Sequence, residues 1–347
     1  MAIDWTRGYR VAAWRLFRVN RDTWADGDEV GGLYSATVNS DAEDAVIQHA
    51  DLTVDSAVGE RLESGYYRIA MTAHQGGEVE RVDVATLLCE STSDVVDRGY
   101  AALTVVGQSV LYPASTDRLA LGSYAPSGVD GAEYAADLLR ASINAPVVVQ
   151  GSFTLDRHVV FDGCSVLDAA RLVLQAGGFA LRIDGYGRVI IAPAITEPAL
   201  ILDNAGARLL QLSISRSLDY SEVPNVYRVT DGAQMVEVTN DDPSSLTSTV
   251  TRGWRSVVAE DNPVRVNGET LRGYAERMLE KKSTVLDSRT YTREWWPDVH
   301  VGSLVRGTIA SVGIDGLFRV DSQRLTCDKG ITVEEQASRE VMTWRRG

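Results

Sequence analysis

The stretch RVDVATLLCE, residues 81–90, has an echo near the other end of the chain, RVDSQRLTCD at residues 319–328. At the same spacing Arg68 falls on Arg306, and each lies in a strand-like run that leads through a Gly-containing turn into the repeated stretch. The sequence therefore predicts a hairpin that occurs twice. The matched residues are Arg81, Val82, Asp83, Leu87 and Cys89 in the first copy and Arg319, Val320, Asp321, Leu325 and Cys327 in the second.

Length and composition describe a chain that folds and carries excess negative charge. Its 347 residues suggest two or more domains at about 150 residues each. The formal net charge is −14, and only Lys281, Lys282 and Lys329 are lysines. Since no polybasic segment is present, specific nucleic-acid binding is not expected. The excess of acidic residues either serves ordinary solubility or produces an electrostatic field that has a function.

The three cysteines, Cys89, Cys164 and Cys327, are far apart and form no C-x-x-C. This pattern argues against a disulfide framework and a zinc knuckle, and it favours folding in a reducing compartment. The N-terminal residues contain no apolar signal segment, and no later run reaches the roughly 18 apolar residues of a membrane span. We expect neither a classical signal peptide nor membrane insertion.

Two kinds of sequence pattern alternate along the chain. Residues 9–112 contain six short runs of β-branched and aromatic residues divided by Gly, Asp and Asn, which predicts a barrel or sandwich. Residues 113–203 predict an α+β segment. It has a helix at 132–142, a second helix from an N-cap at Ser165 to Gly177, and a hairpin that turns at residues 184–187.

A β pattern returns at residues 209–230, where the order of strands and connection is that of residues 33–56, at an offset of 176 positions. The two copies of the repeated stretch are separated by a larger offset, 238 positions. The difference between these two offsets predicts an insertion in the second copy, at about 232–293. The insertion contains a strand pair in STVTRGWRSVVAE and an amphipathic helix in ETLRGYAERMLEKKS.

The predicted fold is mainly β with an α+β middle domain, and it has two tube-type β-barrel domains related by duplication, the second split by an insertion. The first barrel is expected at 1–112. The middle domain is expected at 113–203 with 233–290, and the second barrel at 204–232 with 291–347.

Motifs of the common enzyme classes are absent, so no catalytic, cofactor-binding or metal site is predicted. The four histidines are scattered. A hydrolase with a carboxylate pair brought together by folding stays open, because such pairs have no sequence spacing. Trp295 and Trp296 form the most conspicuous aromatic cluster. Either they contact a partner or a sugar, or one fills the barrel end and the other covers a neighbouring strand.

The order of these elements resembles the baseplate hub, or tail-tip hub, proteins of tailed bacteriophages and related injection machines. The residues that carry the resemblance are 151–193, with helix, Gly-Gly and hairpin, then SEVPNVYRVTDG at 221–232, and the closing strands at 297–327.

The resemblance implies a homotrimer at the distal end of the tail in the virion, assembled in the host cytoplasm. Six similar barrels would then join the six-fold tail tube or distal tail proteins to a three-fold tip spike or fibre, with DNA passing through the lumen. It implies no enzyme activity and no cofactor. The alternative is a β-rich receptor- or carbohydrate-binding tail module that uses Trp295 and Trp296.

Overall fold

The structure is a computed structural model that describes residues 3–5, 7–42, 44, 46–55, 62–97, 100–161, 163–202, 214–261, 269–309 and 314–345. The chain divides into two compact units. Unit 1 comprises Met1–Ser213 and Tyr291–Ala337, and unit 2 comprises Ile214–Thr290 and Ser338–Gly347. Each unit is therefore built from segments that are distant in sequence.

One large sheet dominates unit 1. Alternation of apolar and polar residues produces its strands: in the fourth strand Ala50, Leu52 and Val54 are fully buried, while the residues between them face outward. The strands are β1 (Arg10–Val19), β2 (Asp26–Val30), β3 (Leu33–Asp41), β4 (Gln48–Asp55), β5 (Gly65–Gln75), β6 (Glu78–Asp97), β7 (Tyr100–Ser109), β13 (Pro198–Leu202), β19 (Leu304–Ile309) and β20 (Ile314–Cys327). The sequence prediction of six strands in residues 9–112 is confirmed, with β2 in addition.

The strand order in unit 1 is β20-β3-β4-β7-β6-β5-β1-β2, with every neighbouring pair antiparallel. Strand β19 pairs antiparallel with β20 and parallel with β13. Strand β20, which carries the second copy of the repeat, is therefore hydrogen-bonded directly to β3 near the N-terminus. Two further strands, β18 (Thr284–Glu294) and β21 (Ile331–Met342), contribute residues to both units.

The α+β segment of unit 1 follows the sheet strands in the chain. Its helix caps agree with the sequence: Asp130 accepts a hydrogen bond from the amide of Ala132 at 2.9 Å, and Ser165 accepts one from the amide of Asp168 at 3.0 Å. The elements are α1 (Tyr112–Thr116), β8 (Ser123–Ala125), α2 (Gly131–Ser142), β9 (Val147–Val149), β10 (Val159–Phe161), α3 (Val166–Ala176), β11 (Phe179–Ile183) and β12 (Val189–Pro193).

This segment has a core of its own. Helices α2 and α3 bury small alanine faces together with Leu139, Val173 and Leu174. Strands β11 and β12 form the predicted antiparallel hairpin, and β9 adds to β12 in parallel. The predicted helices and hairpin are confirmed.

Unit 2 contains a small sheet covered by one helix. Its elements are β14 (Ser215–Leu218), β15 (Val226–Asp231), β16 (Gln234–Thr239), α4 (Thr249–Arg252), β17 (Val257–Asp261) and α5 (Leu271–Lys282). The sheet has the order β16-β15-β17, and α5 packs Tyr274, Ala275 and Leu279 against Tyr227 and Val229. The amphipathic helix predicted in the insertion is thus confirmed.

The strand pair predicted at 248–260 is wrong in its first half. Residues Thr249–Arg252 form the short helix α4, because Ser248 accepts a hydrogen bond from the amide of Thr251 at 3.1 Å and Gly253 ends the turn at φ +72°. The second half forms β17, which pairs in parallel with β15.

A buried ion cluster in unit 2 surrounds Asp287, whose side chain is fully buried. Arg289, itself 1% exposed, donates to both carboxylate oxygens, and Arg216 and Arg339 donate at 3.0 and 3.2 Å. Burial raises the pKa of Asp287, but hydrogen bonds from Arg289 and Arg216 outweigh it, and the net pKa lies below the ordinary value. The carboxylate therefore stabilises the folded unit as an ion.

The prediction of a mainly β fold with an α+β segment is confirmed. The compact units divide the chain differently from the three predicted domains, since 113–203 lies in unit 1 and 233–290 lies in unit 2. The two barrels and their duplication stay predictions.

Candidate functional site

The repeated stretch lies on β6 and β20, and its inward residues meet in one core. Leu87 and Cys89 from the first copy, and Leu325 and Cys327 from the second, are all at most 5% exposed and belong to the same apolar cluster. Burial raises the pKa of both thiols to about 12. The two cysteines are therefore packing residues rather than nucleophiles.

The repeat unit is a hairpin in both places, as predicted: β5 pairs with β6, and β19 pairs with β20. The registers differ, however. Arg68 lies opposite Thr86, inside the first repeated stretch, whereas Arg306 lies opposite Leu317, before the second one. Arg68 is fully buried and Arg306 is exposed, so the two arginines are not equivalent.

The outward residues of the first copy take part in an ion network. Asp26 on β2 accepts hydrogen bonds from Arg68 and Arg81, and Arg81 also contacts the carboxylate of Asp83 at 3.0 Å. Burial lowers the pKa of Arg81, but Asp26 and Asp83 more than offset it, so the net pKa is raised. This network fixes β2 against β5 and β6.

The tip of the β11–β12 hairpin docks on this network, an arrangement the sequence did not reveal. Arg68 donates to the carbonyl of Tyr186 at 3.0 Å, and its guanidinium lies 3.7 Å from the centre of the Tyr186 ring. Trp24 Nε1 donates to the same carbonyl at 2.9 Å, while the Tyr186 hydroxyl donates to the carbonyl of Trp24 at 2.9 Å. Thr86 Oγ1 donates to the carbonyl of Gly185 at 2.9 Å.

Two glycines make this docking joint sterically feasible. A Cβ on Gly185 would lie 1.8 Å from the carbonyl oxygen of Asp83, and one on Gly187 would lie 2.6 Å from Thr86 Cβ. Gly187 also has φ +83°, which favours glycine. The D-G-Y-G sequence at residues 184–187 is therefore required both for the turn and for close approach to β6.

Beside the joint, unit 1 has a half-open cavity of about 780 Å³. Its walls come from the start of β4, from β6 and β20, from α3, from the β11–β12 hairpin and from residues 295–302. The cavity brings together Asp83 of the first repeat copy, Arg319 and Leu325 of the second, and Trp295. Residues that are distant in the sequence thus share one site.

The polar lining of the cavity is rich in arginine. Arg182 donates to Nε2 of His300 at 3.2 Å and to Gln150 at 3.3 Å, and Arg319 donates to the carbonyl of Gly302 at 2.9 Å. Burial and the adjacent Arg182 charge both lower the pKa of His300. The imidazole is therefore neutral at physiological pH.

A second buried network stands behind the cavity wall. Glu335 is fully buried and accepts hydrogen bonds from Arg293 at 3.1 Å, from Gln323 at 2.9 Å and from the Tyr291 hydroxyl. Burial and the Glu335 charge raise the pKa of Tyr291 well above its ordinary value. Gln323 also lines the cavity, so this network positions part of the wall.

The two tryptophans predicted as a partner contact have different environments. Trp295 is 6% exposed and packs edge-on against Trp5, with ring centres 6.1 Å apart, whereas Trp296 is half-buried. The burial of Trp295 agrees with the packing alternative for this residue, and a partner contact by Trp296 stays a prediction. Trp295 serves packing and one wall of the cavity.

Among the described residues, no group of three or more His, Cys, Asp or Glu side chains is placed to hold a metal ion. The helices in the described part of the chain are all too short or too polar to cross a membrane.

Solved structures with a similar fold include two tail proteins and a PdpA-VgrG complex. A tail protein from Neisseria meningitidis MC58 matches with a TM-score of 0.61 at 15% identity, covering 96% of each chain. A 43 kDa tail protein of prophage MuSo2 from Shewanella oneidensis matches with a TM-score of 0.58 at 15% identity, covering 93% of this chain and 97% of that one.

The lidded PdpA-VgrG complex from Francisella matches with a TM-score of 0.51 at 6% identity, over 98% of this chain and 54% of that chain. No family model matches the sequence, and no curated protein matches it. The chain therefore has the fold of these tail proteins, which confirms the predicted resemblance at the level of the fold.

Proposed function

We propose that this chain is a structural hub protein of a phage tail rather than an enzyme. The observation that supports this most strongly is the fold likeness to the Neisseria tail protein, which spans 96% of both chains. Buried arginine networks and inert thiols are consistent with a rigid building block. Function would then lie in interface shape instead of chemistry at a reactive group.

The proposed assembly is a homotrimeric ring at the distal end of the tail, assembled in the host cytoplasm. Such a ring would join the tail tube or distal tail proteins to a tip spike or fibre, with DNA passing through its lumen. Three copies carry a formal charge of −42, which is three times −14. An acidic lumen would repel DNA phosphates and keep the genome from adhering during ejection.

Native mass measurement and negative-stain imaging of the purified chain test the assembly. At high concentration we expect a species of three times 37.7 kDa, and class averages with a central hole. Dilution should return the monomer, which serves as the internal control. A compact monomer at every concentration, and in mixtures with the neighbouring tail proteins, would refute the ring.

The channel role has a separate test. Once a ring is imaged, the acidic residues facing its hole can be replaced by Asn or Gln. We expect DNA release from particles carrying these variants to slow or stall, because phosphates are no longer repelled. Acidic residues on the outer face provide the matched control, and ejection kinetics that do not change in the lumen variants would count against a conduit.

A further inference from the structure

Arginines line the cavity in unit 1, and three of them, Arg171, Arg182 and Arg319, have no carboxylate within salt-bridge distance among the described residues. The charges of Asp168 and Asp44 act on Arg171 from further away. Arg171 donates instead to the backbone carbonyl of Asp44 at 3.0 Å, and the other two donate to the imidazole, amide and carbonyl groups described above.

The carboxylates in the lining do not cancel this charge. Asp83 is paired with Arg81 at 3.0 Å, and Asp184 with Arg188 at 2.6 Å. Asp298 also lines the cavity and is exposed. The lining as a whole contains four arginines and three aspartates, an excess of one positive charge, in a chain whose formal net charge is −14.

Arg182 and Gln48 in the cavity wall each have one polar atom beneath the surface, where a ligand in the cavity does not reach it. Arg182 Nε and Gln48 Oε1 are inaccessible to solvent and have no hydrogen-bond partner among the described residues. Gln48, which is 8% exposed, lines the cavity together with apolar side chains. The apolar part of the wall comprises Leu174, Phe179, Leu181, Ile183, Trp295 and Leu325.

We propose that this cavity binds an extended acidic segment of a partner protein, in which acidic residues alternate with apolar ones. Guanidinium groups bind carboxylates with geometric specificity, and alternate side chains of an extended segment can reach the arginines and the apolar wall in turn. The volume of about 780 Å³ lies in the range of sites that bind small ligands or short segments.

Nucleic acid fits this cavity less well than a peptide. A DNA duplex, whose major groove alone is about 12 Å wide, is too large to enter a cavity of about 780 Å³. The net charge of −14 also repels a polyanion at long range, whereas a short peptide carries few charges. The peptide site does not depend on the trimeric ring, and it can be tested on the monomer.

Fluorescence anisotropy with a labelled hexapeptide of alternating Glu and Leu tests the site on the full chain. The matched probe replaces each Glu by Gln, and we expect it to bind at least roughly tenfold more weakly, because bonds to charged groups are lost. Equal binding of the two peptides to the wild-type protein would overturn the proposal. This comparison needs no variant, so a folding defect cannot leave it undecided.

Variants then locate the site. Arg182→Gln and Arg319→Gln are each expected to weaken binding of the acidic peptide roughly tenfold. Arg272→Gln is the matched control, because this exposed arginine in unit 2 pairs with Glu276 and loses the same charge. Binding that falls equally in all three variants would refute the cavity as the site.

Competition assays separate the acidic peptide from other anions. Neither inorganic phosphate nor a short single-stranded oligonucleotide, each at the concentration of the peptide, should displace it. Displacement by phosphate would overturn the proposal in favour of a free-anion site, and stronger binding of the oligonucleotide would overturn it in favour of nucleic acid.

Discussion

Replacing Gly185 by alanine tests the docking joint between the β11–β12 hairpin and strand β6. The new Cβ would lie 1.8 Å from the carbonyl oxygen of Asp83 and 2.5 Å from its carbonyl carbon, and both are backbone atoms that cannot rotate away. The hairpin tip must therefore move by more than an ångström to restore an ordinary contact. Hydrogen bonds of 2.9–3.0 Å do not survive a displacement of that size.

The expected loss of stability follows from the bonds that break. Three neutral hydrogen bonds, from Thr86, Trp24 and Tyr186, contribute about 1 kcal/mol each, and the bond from the charged Arg68 contributes about 1.5–3 kcal/mol. We therefore expect Gly185→Ala to lower the free energy of unfolding by about 4.5–6 kcal/mol, a large share of the roughly 5–15 kcal/mol typical of proteins.

Urea unfolding followed by circular dichroism measures this change. Gly330→Ala is the matched control, because a Cβ at Gly330 meets no atom within 4 Å and the residue needs no positive φ. We expect the control to change the free energy of unfolding by less than about 1 kcal/mol. A Gly185→Ala midpoint equal to that of the control would refute the steric argument for the joint.

Three further predictions concern buried groups. Asp287→Asn should cost about 3–5 kcal/mol at pH 7, because it leaves buried arginine charge uncompensated. Folding lowers the pKa of Asp287, so the stability that its carboxylate contributes is present above the unfolded pKa of about 3.9 and is lost as the pH falls through the lower folded pKa. Between pH 7 and pH 2 the urea midpoint should therefore fall less in the variant than in the wild type. Glu335→Ala should likewise cost about 3–5 kcal/mol in urea unfolding, and Glu335→Gln less, because the amide oxygen still accepts a hydrogen bond. In native protein treated with iodoacetamide, mass spectrometry should find Cys164 alkylated well before Cys89 and Cys327, whose buried thiols have pKa values of about 12; equal rates in the native state would contradict their placement in the core.

Local structure could be predicted from the sequence where a single residue type decides it. Ser165 as an N-cap and Gly177 at the helix end gave the bounds of α3, and the Gly-Tyr-Gly turn gave the β11–β12 hairpin. The prediction failed at Ser248, where a strand was expected but a side-chain cap and Gly253 formed a helical turn instead.

Tertiary contacts could not be predicted, because they depend on strand order and register. Nothing local shows that Gly185 must approach the backbone of Asp83, although two glycines around one tyrosine in a turn are a signal for close packing. Likewise, Trp295 adjoins Trp296 and Pro297 in sequence like a surface cluster, but its ring is buried against Trp5.

The two copies of the repeated stretch combine a shared inner role with different outer roles. Leu and Cys at the seventh and ninth positions fill one apolar core from β6 and from β20. On the outer side, the arginine at the first position has a different partner in each copy. Arg81 joins the ion network with Asp26, while Arg319 donates a hydrogen bond to the carbonyl of Gly302 at the cavity wall. Core packing requires the same residue sizes in both strands, whereas exposed arginines can bind whatever lies beside them. A short repeated stretch in the sequence therefore indicates a shared core position and does not by itself establish two equivalent sites.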